Sequence, residues 1–333
     1  MKRLVILGGG ESGVGTAILG KSKGFDVFVS DFGTISNHYL NILEKYEISF
    51  EHQQHTEELI LNAEVVMKSP GISEKVAIVQ KLIAQNTPVI SEIEFAYPYT
   101  DAVIIGITGS NGKTTTTSLT YHLLQSAGLN VGIGGNIGKS FAWQVAENKY
   151  DYYVLELSSF QLDGIQKFKP HIAVITNITP DHLDRYNYQF ENYIHSKFRI
   201  TENQTKDDFL IVDGDDQVIK NYIKNNSIKA QILTFAIHNQ ESNAKLKNNI
   251  MEININNENI DLNTENISIQ GNHNYKNAAV AAMSAKLVNI RKETIRKSMI
   301  DFMPIAHRYQ LVRNINGVKY INDSKATNVN SVY

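Results

Sequence analysis

Residues 107–116, ITGSNGKTTT, limit what this chain can fold into more than any other stretch. An apolar run at 102–105 precedes them, so a buried strand leads into a glycine-rich turn and then into a Lys-Thr pair that opens a helix. That order of elements wraps the phosphates of a nucleotide. The backbone N–H groups of Gly109, Ser110, Asn111, Gly112, Lys113 and Thr114 would face phosphate oxygens, with the positive end of the helix behind them. Lys113 would stand beside the terminal phosphates, and the Thr114 hydroxyl would reach a Mg²⁺ ion. The place of the usual first glycine is taken by Ile107. The plainer alternative is a Gly-Ser-Asn turn that happens to contain a lysine; the strand before it and the helix formers after it favour the phosphate loop.

A chain of 333 residues has room for two domains, or three small ones, each with its own core. Its 32 basic and 34 acidic side chains sum to a formal charge of −2, which offers no broad electrostatic footprint for nucleic acid or an anionic membrane. The absence of cysteine excludes disulfides, thiolate metal sites and cysteine nucleophiles, and fits a reducing compartment. The opening MKRLVILGGG is too short in apolar residues for a secretory signal, and no later run approaches a membrane span. The expectation is a soluble cytoplasmic protein that binds its partners through local sites.

Short apolar runs at 4–7, 27–29, 65–67 and 89–90 alternate with longer amphipathic ones, the rhythm of βαβ units around a parallel sheet. A second cycle begins at 102 and continues through the strands 152–157 and 172–176. Two glycine-rich turns after two first strands imply two α/β domains with a boundary near 95–101. Residues 221–266 are rich in Asn and poor in large apolar side chains; strands at 232–235 and 251–255 would make this an exposed, β-rich edge without chemistry. Helices follow at 272–288 and 293–302, then a hairpin of 309–313 and 318–321 around Asn316-Gly317. The expected division is 1–95, an N-terminal Rossmann-like domain; 96–303, a central ATPase-like α/β domain carrying the phosphate loop; and 304–333, the start of a third domain.

The first glycine turn, residues 8–13, satisfies G-x-G-x-x-G after a strand, and Asp31 closes the second strand. This suits any ligand with a pyrophosphate and a ribose, a dinucleotide or a nucleotide-sugar alike; the alternative is a turn needed only for packing. Ser69, Pro70 and Gly71 follow the third apolar strand at the same edge, a weak signal alone. The loop GGNIG at 134–138 is stripped of side chain save Asn136, which suggests close approach by a ligand, although a structural turn explains it equally. Glu156, at the end of its strand, stands where a Mg²⁺ ligand is expected, or else caps the next helix. Asp181, His182 and Asp184 arrive at the end of the following strand, so Glu156 and His182 suggest a second metal position with mixed ligands. Lys197 reads from periodicity as a solvated helix lysine. Asn274 and Asn277 open the alanine-rich helix, where paired amides cap it or read a purine edge. His307-Arg308 and the turn from Asp323 to Asn328 read as exposed polar loops.

Taken together, these segments resemble the Mur ligases, the ATP-dependent amide-forming enzymes of bacterial peptidoglycan synthesis. Their phosphate loop is of the TGSNGKT type and lacks the first glycine, which accounts for Ile107. Further matches are GGNIG at 134–138, LELSSFQL at 155–162, TPDHLDRY at 179–186, SKFRI at 196–200, GNHNYKN at 271–277, His307-Arg308 and NDSKATN at 322–328, in the expected order over nearly the whole chain. The SSFQL and DSKATN versions look like the D-glutamate-adding branch. The resemblance implies that Gly10, Ser12, Gly13, Asp31, Ser69, Pro70 and Gly71 bind the UDP part of UDP-N-acetylmuramoyl-L-alanine. Asn136, Ser159 and Gln161 then lie along its muramoyl-alanine. It places ATP on residues 109–115, from Gly109 to Thr115, with Asn274 and Asn277 near adenine and Arg308 and Asp323 contributing from the third domain. Lys325 and Thr327 fall on the D-glutamate side. Two Mg²⁺ ions are implied, with Thr114 and Glu156 at one and His182 and Lys197 at the other; in the family this lysine is carbamylated by CO₂, which turns a cation into an anionic ligand. Lys113, Glu156, His182 and Lys197 are then the catalytic group.

The family's reaction activates the substrate carboxylate as an acyl phosphate at the expense of ATP and transfers it to the amine of D-glutamate, which serves cell-wall biogenesis, cell shape and division. Family members continue for about a domain's length beyond DSKATN, so the expectation is that this chain, taken alone, binds both nucleotides without closing the amide bond. A monomer is expected. Two other readings stand beside this one: a nicotinamide-dependent oxidoreductase, supported by residues 8–13 and Asp31 alone, and a non-catalytic UDP-sugar-binding fragment.

Overall fold

The computed structural model describes residues 2–303, 310–322 and 324. They group into two compact units that interleave along the chain: residues up to Ile104, 132–170 and 182–203 make one, and residues 105–131, 171–181 and 204 onward the other.

In the first unit β1 (Arg3–Leu7), α1 (Glu11–Ser22), β2 (Asp26–Asp31), α2 (Asn37–Lys45), β3 (Ser49–His52), α3 (Glu57–Leu61), β4 (Val65–Lys68), α4 (Ala77–Ala84), β5 (Val89–Ile90) and α5 (Glu92–Ala96) alternate. The strands pair in parallel in the order β3-β2-β1-β4-β5. Leu4, Val5, Ile6 and Leu7 are all fully buried, as a parallel strand covered on both faces requires. β1 has β2 on one side and β4 on the other, so the topological switch point falls at its carboxyl end, where open α/β sheets bind ligands. The glycine turn after β1 and Ser69 after β4 both lie at that edge.

The chain continues through β6 (Val103–Thr108), α6 (Lys113–Ser126), β7 (Val131–Gly135), α7 (Phe141–Glu147), β8 (Tyr152–Glu156), α8 (Ser159–Asp163), β9 (Ile172–Ile175) and α9 (Phe190–Phe198). Of these, β7, β8, α7, α8 and α9 belong to the first unit, with β7 beside β8. There follow β10 (Phe209–Asp213), α10 (Gln217–Asn225), β11 (Gln231–Ala236), β12 (Ala244–Lys247), β13 (Ile250–Ile255), β14 (Glu258–Asn263), α11 (Asn272–Leu287), α12 (Lys292–Asp301), β15 (Gln310–Ile315) and β16 (Val318–Asn322). In the second unit the strand order runs β14-β13-β12-β11-β10-β9-β6, parallel from β6 to β12 and antiparallel from β12 to β14. The α/β architecture with parallel sheets is the one read from the sequence.

The Asn-rich segment departs from its reading as an exposed edge. Ala244, Met251, Ile253, Ile255, Ile260 and Leu262 are buried at alternate positions, so the meander β12-β13-β14 has a true core face. Four of its asparagines make the turns: Asn248 and Asn249 (φ 48° and 61°) join β12 to β13, and Asn256 and Asn257 (φ 53° and 60°) join β13 to β14. Two successive positive φ values make the tight hairpin turn that asparagine tolerates better than most residues. Asn316 and Gly317 (φ 51° and 84°) make the same turn between β15 and β16, as expected from the Asn-Gly pair.

A carboxylate pair ties α11 to the end of β10. Lys276 Nζ lies 2.7 Å from Asp213 Oδ2 and 3.1 Å from Asp215 Oδ2. Burial opposes ionisation of Asp215, but the N–H groups of Ile237 and Asn239 and the Lys276 amine outweigh it and hold the carboxyl at about 2. A folded-state value below the ordinary carboxylate range stabilises the fold above that range, and the contribution disappears as pH falls through about 2. Asp215→Asn is therefore expected to lower the melting temperature at pH 7 by a few degrees, at about 2–4 °C per kcal/mol for a protein of this size. The gap to the parent should close as the scans approach pH 2; a gap that persists there would mean that packing, and not charge, is responsible.

Candidate active site

In the second unit the loop between β6 and α6 is held from below by the end of β9. Ser110 N–H donates to Asn177 O (2.9 Å) and Asn111 N–H to Asn177 Oδ1 (2.9 Å), while Ser110 Oγ donates to Thr179 O (2.8 Å). Thr176 Oγ1 donates to Asn111 O at 2.6 Å. A Cβ on Gly109 would fall 1.9 Å from Thr176 Oγ1, and Gly109 and Gly112 have φ of 144° and 81°, so both positions need glycine. Gly112 is the N-cap of α6, whose first residues are Lys113, Thr114 and Thr115. Lys113 Nζ folds back over the loop and donates to Gly109 O and Ser110 O, each at 2.9 Å. The N–H groups of Ser110 and Asn111 are thus taken by Asn177, which corrects their expected turn toward phosphate oxygens; what the loop offers a polyphosphate is the N-terminus of α6 with an ammonium beside it.

Asn277 is buried beneath this loop. Its Oδ1 accepts from Thr116 Oγ1 (3.1 Å) and its Nδ2 donates to Asn274 Oδ1 (3.2 Å); Asn274 in turn donates to Gln270 O (3.0 Å). The two amides are thus paired with each other and with the loop helix.

At the switch point of the first unit, Gly8 has φ 99° and would bring a Cβ within 2.5 Å of Ser69 Oγ. Gly13 leaves no room either, since its Cβ would meet Gly8 O. Asp31 braces the turn: Oδ2 accepts from Gly9 N–H and Oδ1 from Gly33 N–H, both at 2.7 Å. Gly10 is the N-cap of α1, followed by Glu11 and Ser12. Gly8, Gly10, Ser12, Gly13, Asp31, Ser69, Pro70 and Gly71 are therefore brought to one edge. Arg185, to which the sequence motifs assign no role, joins them. Its guanidinium stacks on Phe160 at 4.3 Å and reaches the carbonyls of Pro70 (3.4 Å), Gly71 (3.3 Å) and Ile72 (3.4 Å). Lys68 donates to Ile72 O from beneath (2.8 Å), its pKa pulled down by burial.

The remaining expected residues of this unit cluster around β8. Glu156 is 2% exposed at the strand end. It does not cap α8, because Ser158 and Gln161 form a capping box there: Ser158 Oγ accepts from Gln161 N–H while Gln161 Oε1 accepts from Ser158 N–H. The Gln161 amide oxygen is thereby committed to the protein. Asn136 clasps Glu156, donating from N to its carbonyl (2.8 Å) and from Nδ2 to Oε1 (2.8 Å), and Gly135 (φ 93°) has no space for a side chain against that carbonyl. Oε2 of Glu156 is buried with no hydrogen-bond partner among the described residues. His182 (φ 50°) packs its ring against Phe160, next to Ser159. Lys197 is 2% exposed, with Nζ 4.5 Å from the Tyr193 ring centroid, which corrects the solvated lysine read from helix periodicity. Ser196 beside it donates to Ser159 O (3.0 Å) and so fastens α9 to α8.

A buried carboxylate oxygen without a donor is a hard ligand that wants a cation, so Glu156 fits Mg²⁺. Among the described residues no group of three or more His, Cys, Asp and Glu could hold a metal alone; an ion here needs ligands of other kinds. Arg308, Asp323, Lys325 and Thr327 lie outside the described residues. No helix among the described residues is long and apolar enough to cross a membrane.

Comparison with known proteins matches residues 107–285 to the Mur ligase middle domain and residues 3–78 to the MurD N-terminal domain. The chain is 54% identical, over all of its length and 75% of the relative's, to a UDP-N-acetylmuramoylalanine–D-glutamate ligase of Christiangramia forsetii. It is 52% identical, with the same coverage, to the protein of that name from Bacteroides thetaiotaomicron. Among solved structures, a UDP-N-acetylmuramate:L-alanyl-gamma-D-glutamyl-meso-diaminopimelate ligase from Neisseria shares the fold with TM-score 0.66 at 18% identity, covering 92% of this chain and 99% of that one. The UDP-N-acetylmuramate-alanine ligase of Thermotoga maritima does so with TM-score 0.58 at 17% identity, over 97% and 74%.

Proposed function

This chain belongs to the Mur ligase family, and from that premise we propose that it is an ATP-dependent ligase that adds D-glutamate to UDP-N-acetylmuramoyl-L-alanine in peptidoglycan synthesis. The observation that carries the reading is 54% identity along the whole chain to a ligase of that name. The phosphate loop on β9 and the glycine turn at the β1/β4 switch point provide a seat for each nucleotide. The nicotinamide-dependent alternative finds no support among the relatives, and it leaves the loop at 109–115 without a purpose.

In this reading residues 109–115 hold ATP, with Asn274 and Asn277 next to the loop and Arg308 and Asp323 completing the site. Gly10, Ser12, Gly13, Asp31, Ser69, Pro70 and Gly71 take the UDP part, and Asn136, Ser159 and Gln161 the muramoyl-alanine. For Gln161 the contact falls to its amide N–H₂, since its oxygen serves the helix cap. An oxygen of the alanine carboxylate attacks the γ-phosphorus, the bond to the leaving ADP oxygen breaks, and an acyl phosphate forms. The amine of D-glutamate, on the side of Lys325 and Thr327, then attacks the carbonyl carbon, loses a proton and expels phosphate. Lys113 neutralises charge on the transferring group so that one anion can approach another. Thr114, Glu156, His182 and Lys197 as its carbamate are the residues that would hold two Mg²⁺ ions, which supply further charge neutralisation when bound. In the same reading 1–95 binds the UDP substrate, 96–303 binds ATP and 304–333 begins a D-glutamate-binding domain, the protein is cytoplasmic, and it works as a monomer.

Calorimetry with UDP-N-acetylmuramoyl-L-alanine, UDP-N-acetylglucosamine and NADH tests the reading, with the first expected to bind tightest. NADH binding best would hand the first unit to the oxidoreductase alternative.

A further inference from the structure

Ser140 is 1% exposed, and three helices meet at its polar atoms. Its N–H donates to Glu11 Oε1 of α1 (3.0 Å), its Oγ donates to Glu92 Oε1 of α5 (2.5 Å), and the same Oγ accepts from Trp143 N–H of α7 (3.1 Å). Glu92, also 1% exposed, accepts in addition from Ala142 N–H (3.0 Å). On the far side α1 presses its backbone directly on the serine: a Cβ on Gly15 would lie 2.0 Å from Ser140 Oγ. None of these contacts is a packing default, because a buried carboxylate is tolerated only where donors are brought to it.

What these helices carry gives the junction its meaning. α1 begins at the glycine turn, with Gly10 as N-cap and Ser12 in its first turn. α7 closes the loop at 134–139, since Gln144 Nε2 donates both to Ile133 O (2.9 Å) and to Lys139 O (2.8 Å). That loop holds Asn136, which clasps Glu156. An unbroken set of hydrogen bonds and tight backbone contacts thus runs from the glycine turn through Ser140 to the Glu156 carboxylate, all inside the first unit. It also settles an oddity at the turn. A carboxylate in the first turn of a helix whose N-terminus receives a pyrophosphate would repel it, but the two oxygens of Glu11 are drawn aside, one by Ser140 N–H and the other by the Tyr39 hydroxyl (3.0 Å).

We propose that Ser140, with Glu92 as its anchor, is a positioning residue of the ligase that sets the register between the turn holding the UDP part of the substrate and the Asn136–Glu156 pair serving its reacting end. The inference rests on the reading of residues 8–13 as the UDP site, and the test separates the two. Calorimetric titration with UDP-N-acetylmuramoyl-L-alanine and, separately, with ATP and Mg²⁺ is carried out on the parent, Ser140→Ala, Glu92→Ala and Glu92→Gln. Both alanine variants are expected to bind the UDP substrate about tenfold more weakly or worse, with ATP affinity unchanged. Glu92→Gln keeps an oxygen for Ser140 Oγ–H and Ala142 N–H and should rescue affinity to within about threefold of the parent. A purely structural serine would lower the melting temperature and leave the affinity of the folded protein alone. Ser140→Cys, nearly equal in volume and a weak donor, stands in for alanine if that variant does not fold, with the same loss expected. Parent-like affinity for the UDP substrate in the serine variant overturns this inference alone; a parent protein that does not bind the UDP substrate overturns the site reading and the inference with it.

Discussion

In an enzyme that spans the full length of the relatives, Lys197→Ala is expected to lower the rate of ligation by at least about a hundredfold and to regain part of it when acetate or formate is added. The lysine is buried at 2% exposure in α9, which is fastened to α8 through Ser196 and Ser159. A long cationic side chain there would be repelled by the Mg²⁺ ions it is proposed to hold. The proposed carbamylation would reverse the sign: the amine nitrogen would bond to the carbon of CO₂, a proton would leave, and a carboxylate-like anion would result. A small carboxylic acid can occupy the space left by alanine and supply the missing oxygens. The measurement is ADP release dependent on D-glutamate, with and without the added acid, at matched melting temperature. Loss without any rescue, in a protein that melts like the parent, would reduce Lys197 to a space-filling role, and an unchanged rate would remove it from the site.

Lys113→Ala should cost about 10²–10³-fold in the same assay, the scale of losing one preorganised electrostatic donor at a developing charge. Its Nζ lies 2.9 Å from Gly109 O and from Ser110 O, which holds it over the loop where terminal phosphates would come to rest. Little reorganisation is then needed when ATP arrives. ATP affinity should fall with the rate, and the affinity for UDP-N-acetylmuramoyl-L-alanine should not move. A variant that releases ADP at the parent rate would show that residues 107–116 are a turn with an incidental lysine.

The loops were legible because their requirements are local. Gly109 and Gly112 are glycines since their φ values are positive and a side chain would strike Thr176 or Asn277, and a strand followed by such a turn and a helix announces itself along the chain. The switch-point turn is of the same kind. The Asn-rich meander was half legible: its strands alternate over a few positions, and asparagine pairs mark its hairpins, yet mean polarity hid the buried face. Glu92, Glu94 and Lys197 could not be read as buried at all, because a charged residue on a short helix looks solvated until its partners are known. Glu94 is held by the N–H groups of Gln166, Lys167 and Phe168, and Glu92 by Ser140 and Ala142, all far away in sequence.

By itself, then, the sequence determined the class of the fold, the two nucleotide turns and, through its motifs, the family, since each depends on backbone conformation and spacing within a few neighbouring residues. The tertiary structure alone decided which polar side chains leave water. Burying a carboxylate or an ammonium costs several kcal/mol unless donors or counter-charges meet it, and in this protein those partners come from segments that only folding brings together, as Ser140 is brought to Glu11 and Glu92.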